Sequence, residues 1–168
     1  MISSKSCTGC HMCELACSAY HEGGFQPSLA RLYADVNPTT AVIKGHTCLQ
    51  TACAKCQDAC PQGAIVTKQV TVTPHGDFAS KEKIGDSVTG LVLVVDESKC
   101  DGCVNVPEGP LCVSACPYNV IHMHPGTNKA LKCDLCGGDP QCITFCQNKY
   151  VLAVDLKVDK ADKSLTVA

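Results

Sequence analysis

Tryptophan is absent from the 168-residue chain, and aromatic residues together make up only 4%. Aromatic side chains supply much of the buried area of small domains, so a chain of this length would build a thin core unaided. No long apolar stretch compensates: the longest run, Leu91 to Val95, is far too short to cross a bilayer. Neither sign of charge dominates. Fourteen Lys and Arg stand against sixteen Asp and Glu, a formal −2 with no basic stripe, which argues against nucleic acid as a partner. Charged residues are only 18%, too few for a disordered chain. The opening Met1-Ile2-Ser3-Ser4-Lys5-Ser6 has neither an apolar core nor paired arginines. No export signal is therefore visible, and a cytoplasmic location is expected, although a loaded subunit can also travel on a partner's signal.

Cysteine is what the chain has in excess. There are sixteen, and the 45% apolar fraction includes them. In the reducing cytosol such a number points to metal rather than to a disulfide framework. They fall into four quartets with none left over. Cys7, Cys10, Cys13 and Cys17 are spaced C-x2-C-x2-C-x3-C; Cys48, Cys53, Cys56 and Cys60 are spaced C-x4-C-x2-C-x3-C and followed by Pro61. Cys100, Cys103, Cys112 and Cys116 are spaced C-x2-C-x8-C-x3-C and followed by Pro117; Cys133, Cys136, Cys142 and Cys146 are spaced C-x2-C-x5-C-x3-C. Every quartet closes on C-x3-C.

A cubane 4Fe–4S cluster takes one thiolate per iron. Three closely spaced cysteines can wrap one face of the cube, while the fourth, entering a short helix, points to a neighbouring cluster. A proline after it suits the turn that leaves the helix. Structural zinc also uses C-x2-C pairs but has no need of a third thiolate close by. The second quartet opens like a plant-type 2Fe–2S centre, yet its immediate Cys60-Pro61 ending reads as a variant cubane site. Sixteen thiolates therefore predict four 4Fe–4S clusters, with a structural zinc scaffold as the non-redox alternative.

Between the quartets the chain is expected to be α+β. Ala64 to Thr67 and Val70 to Thr73 alternate β-branched residues and read as strand, as do Gly90 to Asp96, Asn119 to His124 and Tyr150 to Val158. Pro74 to Asp86 reads as a hairpin loop or surface insertion. Short helices are predicted over Met12–Tyr20, Ala54–Ala59, Cys112–Ala115 and Ile143–Gln147.

The chain resembles the four-cluster, ferredoxin-like electron-transfer subunits that accompany molybdenum or tungsten oxidoreductases. The likeness rests on Cys7-Thr8-Gly9-Cys10-His11-Met12-Cys13-Glu14-Leu15-Ala16-Cys17 and Cys56-Gln57-Asp58-Ala59-Cys60-Pro61-Gln62-Gly63-Ala64-Ile65. It also rests on Cys112-Val113-Ser114-Ala115-Cys116-Pro117-Tyr118 and Lys132-Cys133-Asp134-Leu135-Cys136, and runs from about residue 5 to 155. The gap order in the second quartet and the six extra residues before Cys112 depart from the family pattern.

This resemblance implies two nested bacterial two-cluster ferredoxin-like modules in a single domain over residues 1–168. The outer module would take about 1–47 plus 125–158, and the inner about 48–124. It implies four ligand sets: Cys7, Cys10, Cys13 and Cys146; Cys133, Cys136, Cys142 and Cys17; Cys48, Cys53, Cys56 and Cys116; and Cys100, Cys103, Cys112 and Cys60. Quartets two and three share a Cys-Pro ending that one and four lack, which favours like with like. Pairing one with two and three with four is the competing scheme.

The resemblance further implies a non-catalytic subunit carrying electrons between a large catalytic subunit and a flavin- or NAD-linked subunit or a ferredoxin. The favoured catalytic partner is a tungsten or molybdenum enzyme of the aldehyde ferredoxin oxidoreductase type. Alternatives are a free polyferredoxin, or the same role beside a hydrogenase, a formate or carbon monoxide dehydrogenase, or an acyl-CoA or benzoyl-CoA reductase. Exposed end clusters would also permit self-association.

Physical scale supports a relay. A chain of 168 residues has a radius of gyration of about 15 Å, so four clusters in it must be close neighbours. Each fully ligated oxidised cubane carries about −2, which takes the formal charge to about −10 and favours low potentials. Outside the quartets, His11 reads as packing or solvation, with tuning of the first cluster's potential as the alternative, and His122 and His124 as one face of a strand. Tyr20, Tyr33 and Tyr118 read as core or interface rings, and Lys132 as an ion-pair partner or surface charge. The alternately charged tail, Asp155 to Lys163, reads as solvated or docked on a partner.

Overall fold

The third cysteine of every quartet is the second residue of a helix. In the computed structural model, which describes residues 7–73, 75–76, 83–84, 87–147, 156–158 and 165–167, the helices are α1 (Met12–Glu22), α2 (Lys55–Asp58), α3 (Leu111–Ser114) and α4 (Gln141–Thr144). Cys13, Cys56, Cys112 and Cys142 occupy that second position. The C-x3-C ending then carries the chain one turn onward, so the fourth cysteine stands about one turn along from the third. Cys17 remains inside α1, whereas Cys60, Cys116 and Cys146 lie just past their helix ends, which corrects the expectation that the fourth cysteine always enters the helix. Pro61 and Pro117 follow two of those ends directly. The fourth helix begins two residues before the predicted Ile143, because Pro140 fixes the chain at its N-cap.

The sheets are all two-stranded and antiparallel among the described residues. Strand β1 (Tyr33–Val36) pairs with β2 (Ile43–His46), and the longest ribbon joins β3 (Ile65–Val72) to β6 (Val88–Val95) from Ile65 opposite Val95 to Val72 opposite Val88. Between them β4 (His75–Gly76) pairs with β5 (Lys83–Ile84), so the 74–86 segment contains a hairpin. Strand β7 (His122–Met123) pairs with β8 (Ala130–Leu131) and is much shorter than the predicted Asn119–His124. Strands β9 (Leu156–Val158) and β10 (Leu165–Val167) pair near the carboxy terminus. The rest of the predicted 150–158 strand and most of the charged tail fall outside the described residues. The architecture is thus α+β, short helices with small antiparallel ribbons.

The β3–β6 ribbon is buried on both faces. Successive strand residues point to opposite sides, and adjacent Val92 and Leu93 are both inaccessible. Ile65 and Leu93 face a core built from Cys56, Cys100, Cys112 and Cys116 with Val120 and Ile121. Val70, Val72 and Val92 face the other way, onto Leu135 and Cys133. Gly138 fastens this second face: its φ is +117°, and a Cβ there would collide with the Thr71 carbonyl oxygen. Its own carbonyl accepts from Thr73 N at 2.8 Å. A third core sets Cys17, Ala30, Leu32 and Ile143 against Cys7, Cys13, Cys142 and Cys146. The ribbon therefore stands between the middle quartets and the fourth.

Candidate metal centres

Each quartet starts with the same backbone turn. Two residues after the first cysteine the chain enters the left-handed region: Gly9 at φ 68°, Gln50 at 53°, Gly102 at 73° and Leu135 at 56°. That turn aims the backbone N–H back at the sulfur. Gly9 N donates to Cys7 Sγ at 3.5 Å, Gln50 N to Cys48 Sγ at 3.3 Å, and Leu135 N to Cys133 Sγ. The unusual x4 gap of the second quartet keeps this turn and places its surplus after it. At Gly102 a Cβ would run into Asn128, so the third loop closes only with glycine. Two of the fourth cysteines receive N–H groups from elsewhere, Ala64 N to Cys60 Sγ and Arg31 N to Cys17 Sγ, both at 3.3 Å.

The thiols gather in two larger groups. Quartets one and four converge where α1 packs on α4, and quartets two and three where α2 packs on α3. Within these groups, the fields acting on each thiol identify its neighbours. Cys13 feels Cys10 and Cys146; Cys56 feels Cys48 and Cys116; Cys112 feels Cys103, Cys60 and Cys100; Cys142 feels Cys133, Cys136 and Cys17. Further influences run from Cys13 to Cys142, from Cys56 to Cys112 and from Cys48 to Cys133, the last stronger than that of Cys17 on the same thiol. Cys10 of the first quartet is exposed, and beside Cys103 of the third Val104 is 66% exposed.

Burial pushes the Cys13, Cys133 and Cys136 thiols up to about 12, Cys112 up to about 11, and Cys142 well above its ordinary value. Glu14 adds to the effect at Cys13. Thiols desolvated in this way ionise readily only around a cationic core. All sixteen are free of disulfides. Four sulfurs on one zinc, at about 2.3 Å from the ion, would stand about 3.8 Å apart. Among the described residues the sole group of three or more ligand atoms within 4.8 Å of one another is His21, Asp134 and Cys136. Among the described residues no three cysteine sulfurs therefore stand close enough together for one zinc ion. These donors and N–H groups fit iron–sulfur clusters.

Polar side chains complete the surroundings. Glu14, 7% exposed, accepts from Ala34 N at 2.9 Å and pairs with His11 Nδ1 at 2.8 Å, so His11 is tied to a buried carboxylate rather than merely solvated. His21 Nε2 lies 3.3 Å from Asp134 Oδ1 and 3.7 Å from Cys136 Sγ, orienting a loop that Asp134 also caps through Cys136 N at 2.9 Å. Burial alone would raise the Asp134 carboxyl, but His21, the Cys136 N–H and the Arg31 guanidinium outweigh it and hold it below its ordinary value. Among the described residues Lys132 has no ion-pair partner, and it is not a surface charge. It is 3% exposed and bonded to neutral oxygens, because the β6 strand brings the Leu93 carbonyl over it.

Other residues singled out in the sequence lie apart from the sulfurs or at their rim. His124 Nδ1 accepts from Gly126 N and Thr127 N at 3.0 Å, closing a turn. Burial and the neighbouring Arg31 push His122 down. Tyr33 stacks on His46 at 4.3 Å, exposed Tyr20 donates to the Cys136 carbonyl, and Tyr118 is exposed. Gln50, Glu14, Arg31, His21 and Asp134 were not legible as site residues. Proximity to cysteine in the sequence was the available signal for all but Arg31, which lies 14 residues from Cys17, and it does not distinguish a buried polar group from a solvated one.

No protein-family profile matches the chain. It is 34% identical, over 87% of its length and 69% of the relative's, to the aliphatic sulfonate oxidoreductase polyferredoxin-like subunit of Pyrococcus furiosus. It is 30% identical, over 70% of its length and 82% of the relative's, to the electron transport protein HydN of Escherichia coli. The thiosulfate reductase electron transfer subunit PhsB of Salmonella typhi is 28% identical over 84% of this chain and 67% of its own. Two longer putative oxidoreductases are spanned over only 22% and 20% of their length.

Proposed function

The chain belongs to the polyferredoxin-like, iron–sulfur electron-transfer subunits of oxidoreductases, and from that membership we propose that it is a relay of four 4Fe–4S clusters serving a separate catalytic subunit. The observation that carries the reading is the convergence of quartets one and four where α1 packs on α4, and of quartets two and three where α2 packs on α3. With the influences among thiols, it supports Cys10, Cys13 and Cys146 in one ligand set, which Cys7 joins through its loop; Cys17, Cys133, Cys136 and Cys142 as the second; Cys48, Cys56 and Cys116 in the third, which Cys53 joins through its loop; and Cys60, Cys100, Cys103 and Cys112 as the fourth. The influences between sets support a row in that order. Outer and inner ferredoxin-like modules follow from the same grouping.

A cubane with a thiolate on every iron exchanges one electron at a time and leaves no iron open to substrate. The chain's own residues hold the thiolates in place, direct N–H groups at Cys7, Cys17, Cys48, Cys60 and Cys133, and keep water from the interior sulfurs. Such N–H bonds to sulfur, with burial and charge, set the potential of each site. Electrons would enter near exposed Cys10 or near Val104 and leave at the other end. The relatives' names include aliphatic sulfonate and thiosulfate oxidoreductions. The partner is accordingly proposed as an oxidoreductase catalytic subunit, with the tungsten or molybdenum aldehyde type as one member of that class. Delivery to or from a flavin-linked subunit or ferredoxin completes the path. Among the described residues no helix is long and apolar enough to cross a membrane.

Anaerobic size-exclusion chromatography of the protein from its native source tests the assembly. The expected result is co-elution with a larger subunit whose substrate bleaches the iron–sulfur absorption of this chain. Elution as a lone monomer that no co-eluting protein reduces would contradict the subunit reading and favour a free polyferredoxin.

A further inference from the structure

Lys132 is the one buried lysine or arginine among the described residues. Its Nζ donates to Leu93 O at 2.6 Å, Gln50 Oε1 at 2.9 Å and Cys133 O at 3.1 Å, one neutral oxygen for each of three protons. Among the described residues no carboxylate pairs with it. An ammonium taken out of water without an anion is strongly disfavoured, even when its hydrogen bonds are made. The geometry nonetheless holds it firmly. Gln50 accepts from Lys132 Nζ, and its Oε1 also takes the Leu93 N–H at 3.1 Å. The Gln50 side chain donates to Cys133 O at 2.8 Å, while its backbone N–H donates to Cys48 Sγ.

Lys132 and Gln50 thus stand between a cysteine of the second ligand set, Cys133, and one of the third, Cys48. The field of Lys132 lowers the cost of ionising two thiols in particular, Cys133 and Cys56, one from each inner set. Its missing anion is supplied when both sets are loaded, since each ligated cubane carries net negative charge. At the outer end the sign is opposite: beside Cys13 the buried charged group is the Glu14 carboxylate. Lys129, at the fourth set, donates to the Cys100 carbonyl but is half-buried and partly screened by water.

We propose that Lys132 is the shared counter-ion of the two inner clusters and raises both of their reduction potentials, so that electrons entering the row settle at its middle. The inference rests on the four-cluster reading above. Adding an electron makes an inner cluster more negative, and a cation fixed in a low-dielectric setting stabilises that added charge more than a surface lysine would. Because the cation lies between two clusters, its removal must be felt twice.

The test is a redox titration of the full, loaded chain, followed by electron paramagnetic resonance, for the parent and for Lys132→Met, with iron and sulfide measured on both. The expected result is an unchanged iron content and two of the four midpoints moved downward, each by at least tenfold in the reduction equilibrium, about 59 mV for one electron. The other two midpoints stay in place. Should Lys132→Met fail to load, Gln50→Glu keeps the lysine and sets a carboxylate against its Nζ; the same two midpoints are expected to fall. Full iron content with all four midpoints coincident with the parent, in whichever variant loads, overturns the counter-ion role and leaves the relay standing. A parent protein with fewer than about sixteen irons overturns the relay and the inference with it.

Discussion

Stripping the iron from the loaded protein is expected to abolish its cooperative unfolding transition. The chain has little else to fold around. Cys17, Cys56, Cys100, Cys112, Cys116 and Cys136 are among its buried apolar side chains, and no Phe, Tyr or Met joins them among the described residues. Three of the four α-helices among the described residues are four residues long, below any length that holds in water by itself. Each ribbon has two strands, an arrangement of marginal stability without a partner. When ligands must converge from residues as distant as Cys7 and Cys146, binding free energy is folding free energy. Circular dichroism and hydrogen exchange on the chelated, reduced chain should show lost structure and unprotected amides. A metal-free chain that still melts cooperatively within a few degrees of the loaded protein would mean that the apolar ribbon alone supports the fold.

The second large effect concerns cross-ligation. Removing Cys17 is expected to cost about four irons, one cubane. If Cys17 belongs with Cys133, Cys136 and Cys142, the double variant Cys17→Ala with Cys133→Ala loses no more than either single change, because both break one site. Cys17→Ala with Cys56→Ala then loses about eight, because two sites are broken. Sequential pairing of the quartets reverses the outcome: Cys17 would share a cluster with Cys56, so that double variant would be non-additive and the one with Cys133 additive. Iron analysis of four purified proteins decides between the schemes. The experiment works because ligation is all-or-none at a site, whereas packing losses would add in both pairs.

Much of the helical framework was legible because cysteine spacing dictates it. A third cysteine followed by x3 and another demands a turn of helix, and helices begin one residue before Cys13, Cys56, Cys112 and Cys142. The β3–β6 ribbon was legible from its β-branched residues, though each strand is longer than its alternation suggested. The β1–β2 hairpin was not. Its strands are four residues each and partly exposed, and its turn depends on Asn37 Oδ1 accepting from Thr39 N and Thr40 N rather than on glycine. Lys132 could not be read from its neighbours either, since its acceptors Leu93 and Gln50 lie 39 and 82 residues away in sequence. Which thiols face one another is likewise tertiary information. Spacing defines a loop, and the packing of α1 on α4 and α2 on α3 decides what the loop meets.

Coulometric reduction of the purified, loaded chain, with iron, zinc and acid-labile sulfide measured on the same sample, tests the relay most directly. About sixteen irons, about sixteen sulfides and uptake of about four electrons per chain are predicted. Uptake of two electrons or fewer, or zinc with no sulfide, would contradict it.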